Sequence, residues 1–240
     1  QTQRALDNFA ISSLTLPPRF IQAVVHIKKA AALSNQQLGL LAPELAQAIV
    51  AACERLLAGH YSDQFPVDVF QTGSGTSTNM NVNEVIAHIA SELAGQKVHA
   101  NDQVNMSQSS NDVIPSAIHV SAALALKQQL FPALEELHTS LLGKAEALGE
   151  VVKTGRTHLM DAMPITFGQE LGGWASQIEN NYVRLQMALS QLLQLAQGGT
   201  AVGTGVNAHP EFAGKVSEHL AEATGLPFTP GANFFALMSS

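Results

Sequence analysis

Three consecutive side chains that can donate hydrogen bonds, Ser109, Ser110 and Asn111, stand immediately before Asp112-Val-Ile-Pro115. Proline near a first turn fits a helix start. These donors therefore sit at the mouth of a helix, where free backbone N–H groups and the positive end of the dipole favour an anion. A cap needs one such residue and three exceed that need, so capping and ligand contact both stay open. The trio closes a longer polar run, NDQVNMSQSSND (101–112), in a chain otherwise rich in leucine and alanine at helical spacing. A surface loop has this composition; so has a pocket for a ligand rich in oxygen.

Three further polar breaks carry chemistry. QTGSGTSTNMN (71–81) sets two glycines and five hydroxyl residues before a helix. No lysine follows the glycines, so this is not a phosphate loop; an ordinary N-cap loop and an anion contact are its two readings. KTGRTHLMDAMPITFGQE (153–170) places His158 after Thr157, where an imidazole could move protons near neutral pH or simply pack. GGTAVGTGVNAHP (198–210), with four glycines and two threonines, reads as a tight backbone turn first and a ligand loop second. No metal-ligand spacing and no nucleophile elbow of the hydrolase type occurs.

The elements that must position these breaks are helical nearly throughout. Leu41, Leu45, Ile49, Cys53, Leu56 and Leu57 share one face of a first clear helix, and Val82, Ile86, Ile89 and Leu93 mark a second. Ile114 and Ile118, then Leu130, Leu134, Leu137 and Leu141, suggest a longer third, bent at Pro132. From Leu171 through Trp174, Ile178, Tyr182, Leu185, Leu189 and Leu192 to Ala196 the apolar residues step by three or four. Such a heptad-like seam cannot be satisfied by one helix and predicts a bundle. Thr166 and Gln169 form a candidate capping box at its start. No alternating strand pattern stands out.

Composition narrows the function classes. The chain has 240 residues, 46% hydrophobic and only 13% charged, and a net charge of −7. That length supports a sizeable core in one or two domains. So few charges suggest a surface covered by other subunits, and there is no basic footprint for nucleic acid. No apolar run approaches a membrane span. The single cysteine, Cys53, lies on an apolar stripe, reads as core, and fits a reducing compartment. The first residues contain no methionine and no signal-peptide core, and the last, ANFFALMSS, lack a helix-ending signal; both ends look cut.

Taken together and in order, QTGSGTSTNMNVNEVIA, VNMSQSSNDVIPSAIHV, KTGRTHLMDAMPITFGQE and GGTAVGTGVNAHPEFA resemble the fumarase and aspartase superfamily, and within it the class II fumarate hydratases. The resemblance spans nearly the whole chain. It implies an all-α fold, with an N-terminal helical domain (1–108) followed by the first part of a central long-helix bundle (109–240). It also implies a homotetramer whose active sites are assembled from three subunits, fumarate and malate as ligands, no cofactor and no metal. The location it implies is cytoplasmic, or the mitochondrial matrix in a eukaryote. By resemblance His158 corresponds to the catalytic histidine and Thr157 to a substrate-binding threonine. Ser109, Ser110 and Asn111 correspond to donors for a substrate carboxylate, and Ser74, Gly75 and Thr76 to a second contact loop.

Two departures accompany the resemblance. The family's loop of the form Gly-Ser-Ser-x-Met-Pro-x-Lys-x-Asn, which carries the serine that acts as base, is absent up to Ser240. The chain is thus expected to be roughly the N-terminal half of a subunit and inactive alone. His99, Asn101 and Asp102 match a secondary dicarboxylate site of some relatives, but Gln96-Lys97 stand where those carry an arginine. Aspartate ammonia-lyases of the superfamily tend to carry glutamine in place of His158 and Ser-Thr in place of Ser109-Ser110. That reading, and a non-catalytic structural member of the superfamily, remain the alternatives.

Overall fold

Prolines set the first long helices. After the short helix α1 (Thr2–Asn8), α2 (Pro18–Gln37) and α3 (Pro43–Leu57) each begin on a proline, whose missing N–H is harmless in a first turn. The first apolar stripe starts at Leu41, but the helix starts two residues later, and Leu41 is buried from the preceding loop. Helix α4 (Thr76–Ala94) follows the glycine loop, and its Glu84 accepts the Thr2 N–H and hydroxyl at 3.0 and 2.6 Å. The computed structural model describes residues 1–239. They divide into two compact units: Gln1–Ala122 with the segment from Leu192 onward, and Ala123–Gln191.

In the first unit α2 is the innermost helix. Its Ile21, Val24, Val25, Ile27, Ala31 and Ala32 are buried, and it packs against α3 and α4. Cys53 is fully buried on α3, as its stripe predicts, and burial pushes its thiol up to about 12. Helix α5 (Ser110–Ala125) opens on the second serine of the Ser109-Ser110 pair. Pro115 falls inside α5, deeper than the first turn expected of it. A π-type turn at Leu126–Leu130 leads into α6 (Phe131–Ala147). The longer helix suggested by the leucine spacing therefore forms, helical without a break from α5 into α6, with this π-type turn as its irregular point. The extra residue per turn sits ahead of Pro132, which occupies the first turn of α6.

The second unit holds the clearest departure from the sequence expectation. The polar break after Lys153 is an antiparallel hairpin, β1 (Val152–Thr157) and β2 (Met160–Thr166), with Thr157 paired to Met160 across the turn. An irregularity between Thr154 and Arg156 accommodates Gly155. Pro164 and the exposed Met160 and Met163 hide the alternation that would have marked strands. Helix α7 (Phe167–Leu192) then carries the apolar seam. The expected capping box forms: Gln169 N–H donates to Thr166 Oγ at 3.1 Å, and Thr166 N–H to Gln169 Oε1 at 3.0 Å. The seam ends at Leu192, four residues before Ala196, which is buried in the first unit instead.

The chain returns to the first unit through β3 (Gln194–Leu195), α8 (Phe212–Thr224), β4 (Thr229–Pro230) and α9 (Phe234–Leu237). Strands β3 and β4 form a short parallel pair. Phe212, Val216 and Leu220 line the buried face of α8, which packs on α2. The fold is all-α apart from these small sheets.

Candidate active site

Two helix starts meet at one cleft in the first unit. Gly73 and Ser74 before α4, Ser110 and Asn111 at the start of α5, then Ile114, Pro115, Ile118 and Met238 line an open cavity of about 310 Å³. No charged side chain is among these lining residues. An anion here would meet hydroxyls, an amide and two helix N-termini rather than a fixed cation. Ser74 and Thr76 share a hydrogen bond at 2.9 Å between their hydroxyl oxygens. Between them Gly75 has φ +68°, and a Cβ there would lie 3.0 Å from Ile114. Only glycine lets this loop close on α5. Gln71 caps α4 by accepting the Thr78 N–H at 2.8 Å.

The start of α5 is pinned from the opposite side by Asp112. Its Oδ1 accepts the Ser109 N–H at 2.9 Å; its Oδ2 accepts the Gly198 and Thr200 N–H groups at 3.0 and 2.9 Å. Burial pushes the Asp112 carboxyl up, against the opposing pull of those amides and of Lys28. The Asn111 side-chain amide donates to the Ala201 carbonyl at 2.8 Å. The glycine-rich loop 198–210 is thus a shape element, as its composition suggests. Gly198 has φ +104°, and a Cβ there would lie 2.5 Å from Ala213 Cβ. Ser109 acts partly as a cap, its Oγ accepting the Asn111 N–H at 3.2 Å.

Behind the cleft lies a polar network that the sequence reading did not single out. Lys28 is fully buried on α2 and donates to Asn105 Oδ1 at 2.8 Å and Gln108 Oε1 at 3.0 Å. Burial pushes its ammonium down to about 7, against the opposing pull of Asp112 and Cys53. Ser107 donates to Asn35, and Asn35 to the Met106 carbonyl. Asn105, Ser107 and Gln108 of the polar run therefore serve as partners for buried groups. The signal was present: Lys28 stands four residues after Val24 and three before Ala31, on the apolar face of α2.

Thr157 and His158 belong to the second unit. His158 and Leu159 form the two-residue hairpin turn, with φ +51° and +60°, and both are exposed. Two left-handed residues in succession are the geometry of a type I′ turn, which normally takes Asn-Gly. His99, Asn101 and Asp102 are exposed on and beside a π-turn, Ala100–Val104, and none of them lines the cleft. Among the described residues no cluster of three or more His, Cys, Asp or Glu could hold a metal ion. Nor, among them, is any helix long and apolar enough to cross a membrane.

Residues 1–240 match a family model described as Lyase. The chain belongs to this lyase family. It is 53% identical over 240 residues to a class II fumarate hydratase of Pseudomonas aeruginosa, covering 100% of this chain and 52% of that protein. To a class II fumarate hydratase of Nitrosomonas europaea it is 50% identical over 246 residues, covering 100% of this chain and 53% of the other. A crystal structure of class II fumarase from Schistosoma mansoni superposes with a TM-score of 0.95 at 38% identity, over 98% of this chain and 54% of that one. This lyase chain spans about half the length of the curated relatives it matches.

Proposed function

We propose that the chain is the N-terminal half of a class II fumarate hydratase subunit, which adds water reversibly to fumarate to give (S)-malate. The observation that carries the reading is the cleft where Ser74, Ser110 and Asn111 converge at two helix starts, in a chain similar to class II fumarate hydratases along its whole length. Fumarate and malate are dianions and the chain is acidic overall. Binding must therefore come from dense local donors rather than long-range attraction. Ser74, Gly75, Thr76, Ser109, Ser110, Asn111 and Thr157 supply such donors in this reading.

Removal of a proton beside a carboxylate leaves a carbanion whose charge spreads into an aci-carboxylate. Donors already aimed at that group stabilise it where the charge develops. His158 holds the water that adds to the double bond, or the hydroxyl that leaves in the reverse direction. The base that takes the carbon-bound proton belongs to the half of the subunit that the relatives have beyond this chain's span. The half alone is then inactive. In this reading the active enzyme is a homotetramer and each site draws on three copies. His158 and Thr157 reach a cleft in the assembly from their hairpin tip. The domains of the whole subunit divide near residue 108. His99, Asn101 and Asp102 form a secondary dicarboxylate site only if a neighbour replaces the arginine absent at Gln96-Lys97.

The test is a spectrophotometric assay of the full-length protein with malate, beside an ammonia-release assay with aspartate. Malate dehydration well above ammonia release is expected. The reverse order moves the assignment to aspartate ammonia-lyase, and neither activity moves it to a non-catalytic member.

A further inference from the structure

A lysine ammonium can only donate hydrogen bonds and a backbone carbonyl can only accept them, whereas an asparagine amide can face either way. Around Asn105 this difference fixes a direction. Lys28 Nζ lies 2.8 Å from Asn105 Oδ1, so that atom must be the acceptor end, while Asn105 Nδ2 donates to the Gln108 carbonyl at 3.3 Å. Asn105 Oδ1 also receives the Nδ2 groups of Asn83 at 3.1 Å and Asn79 at 3.3 Å. Turning Asn79 over would set two carbonyl oxygens against each other. Its Nδ2 is therefore held, and its second hydrogen goes to Ser110 Oγ at 3.0 Å. The arrangement leaves Asn79 Oδ1 and Asn83 Oδ1 buried without a partner. Unpaired buried acceptors are costly, and they mark an orientation imposed by the rest of the network.

We propose that Lys28 is a positioning residue that sets Ser110 as a hydrogen-bond donor to the substrate carboxylate, through Asn105 and Asn79. Ser110 Oγ already accepts from Asn79, so its own hydrogen is free to point into the cleft it lines. Without the relay Ser110 can donate inward to Asn79 Oδ1 and present only lone pairs to an anion. Either protonation state of Nζ supplies the two hydrogens that Asn105 and Gln108 take. The proposal rests on the hydratase reading for the identity of the ligand, but not for the direction of the hydrogen bonds.

The experiment measures binding of succinate, an unreactive four-carbon dicarboxylate, to the full-length protein by calorimetry. It uses Lys28→Met, Ser110→Ala and their double variant. Loss of one hydrogen bond to a charged group predicts about tenfold weaker binding or more for each single variant. Because Lys28 acts through Ser110, the double variant should be no more than about twofold weaker than Ser110→Ala. In kinetics the same loss should raise KM more than it lowers kcat. Asn79→Asp, nearly isosteric, reverses the last step of the relay and should weaken succinate likewise should Lys28→Met not fold. Unchanged succinate affinity in the folded variants, or losses that simply multiply in the double variant, overturns the proposal. A wild-type protein that binds succinate but does not hydrate fumarate overturns only the functional reading.

Discussion

His158 and Leu159 occupy left-handed backbone at the tip of a hairpin, a conformation that among residues other than glycine is taken mainly by asparagine, aspartate and histidine and seldom by leucine. A stability-driven sequence would place Asn-Gly there. The histidine at the tip is exposed, which fits a chemical role rather than a packing one. His158→Asn tests this cleanly, because asparagine suits the turn and removes the proton carrier. In the full-length enzyme turnover should fall by about two to four orders of magnitude, with the melting temperature held or raised. A variant that melts early yet turns over normally while folded would make His158 a packing residue. Lys28 supplies a second prediction. Its pKa of about 7 when folded lies below the usual 10.5, so between those values the unfolded chain binds more protons than the folded one. The sign follows: this group's contribution to stability is flat below about 7 and rises with pH from there towards 10.5. Melting temperatures of wild type and Lys28→Met at about pH 6.5 and about pH 9 should diverge in favour of wild type at the higher pH. A difference that stays constant with pH sinks the idea.

At the scale of elements, α5 and the glycine-rich loop 198–210 are joined by a single carboxylate. Asp112 takes one amide from its own helix start and two from the loop, 86 and 88 residues away. Asp112→Ala leaves two buried N–H groups and one part-buried N–H without an acceptor and should destabilise by on the order of 3 kcal/mol. Amide exchange at Gly198 and Thr200 should quicken in step, and unchanged protection there would show that the loop is held by other contacts. The long-range join was not readable from sequence, because Asp112 next to three polar residues looks like one more cap. What was readable had a periodic or local cause. The stripes on α3 and α4, the capping box at Thr166 and Gln169, and the buried Cys53 follow from spacing alone. The hairpin at 152–166 escaped because Pro164, Gly155 and exposed methionines break its alternation, and its turn lacks glycine. The four site segments were legible as polar breaks at helix starts. Their division between two compact units was not, since nothing local says which unit a loop joins.

For the molecule as a whole, the second unit leaves most of its apolar residues exposed or only half-buried. Of the residues on α7 only Ala175 is buried, and on α6 only Phe131. Leu137, Leu142, Trp174, Val183 and Met187 are all exposed, and a groove of about 300 Å³ runs between Leu134 and His138 on one side and Ile178 and Val183 on the other. Within the unit the helices touch through the Phe131 and Tyr182 rings, 4.8 Å apart, and the Tyr182 hydroxyl bond to Glu135 at 2.8 Å. Along the seam itself Trp174 is exposed and Leu171, Ile178, Tyr182, Leu185 and Leu189 are only half-buried, so an apolar seam at heptad-like spacing is not satisfied within one unit. The proposed homotetramer covers it, with α7 packed against helices of the other copies. Ile178 and Leu185 lie on that seam, so replacing both with aspartate buries charges in every such contact. In sedimentation of the full-length protein the wild type should run as a tetramer. Ile178→Asp with Leu185→Asp should run as smaller species and lose turnover together with assembly, as the proposed sharing of each site among copies requires. A double variant that stays tetrameric and active would leave the seam open to solvent in the assembly and remove the main argument for a shared bundle.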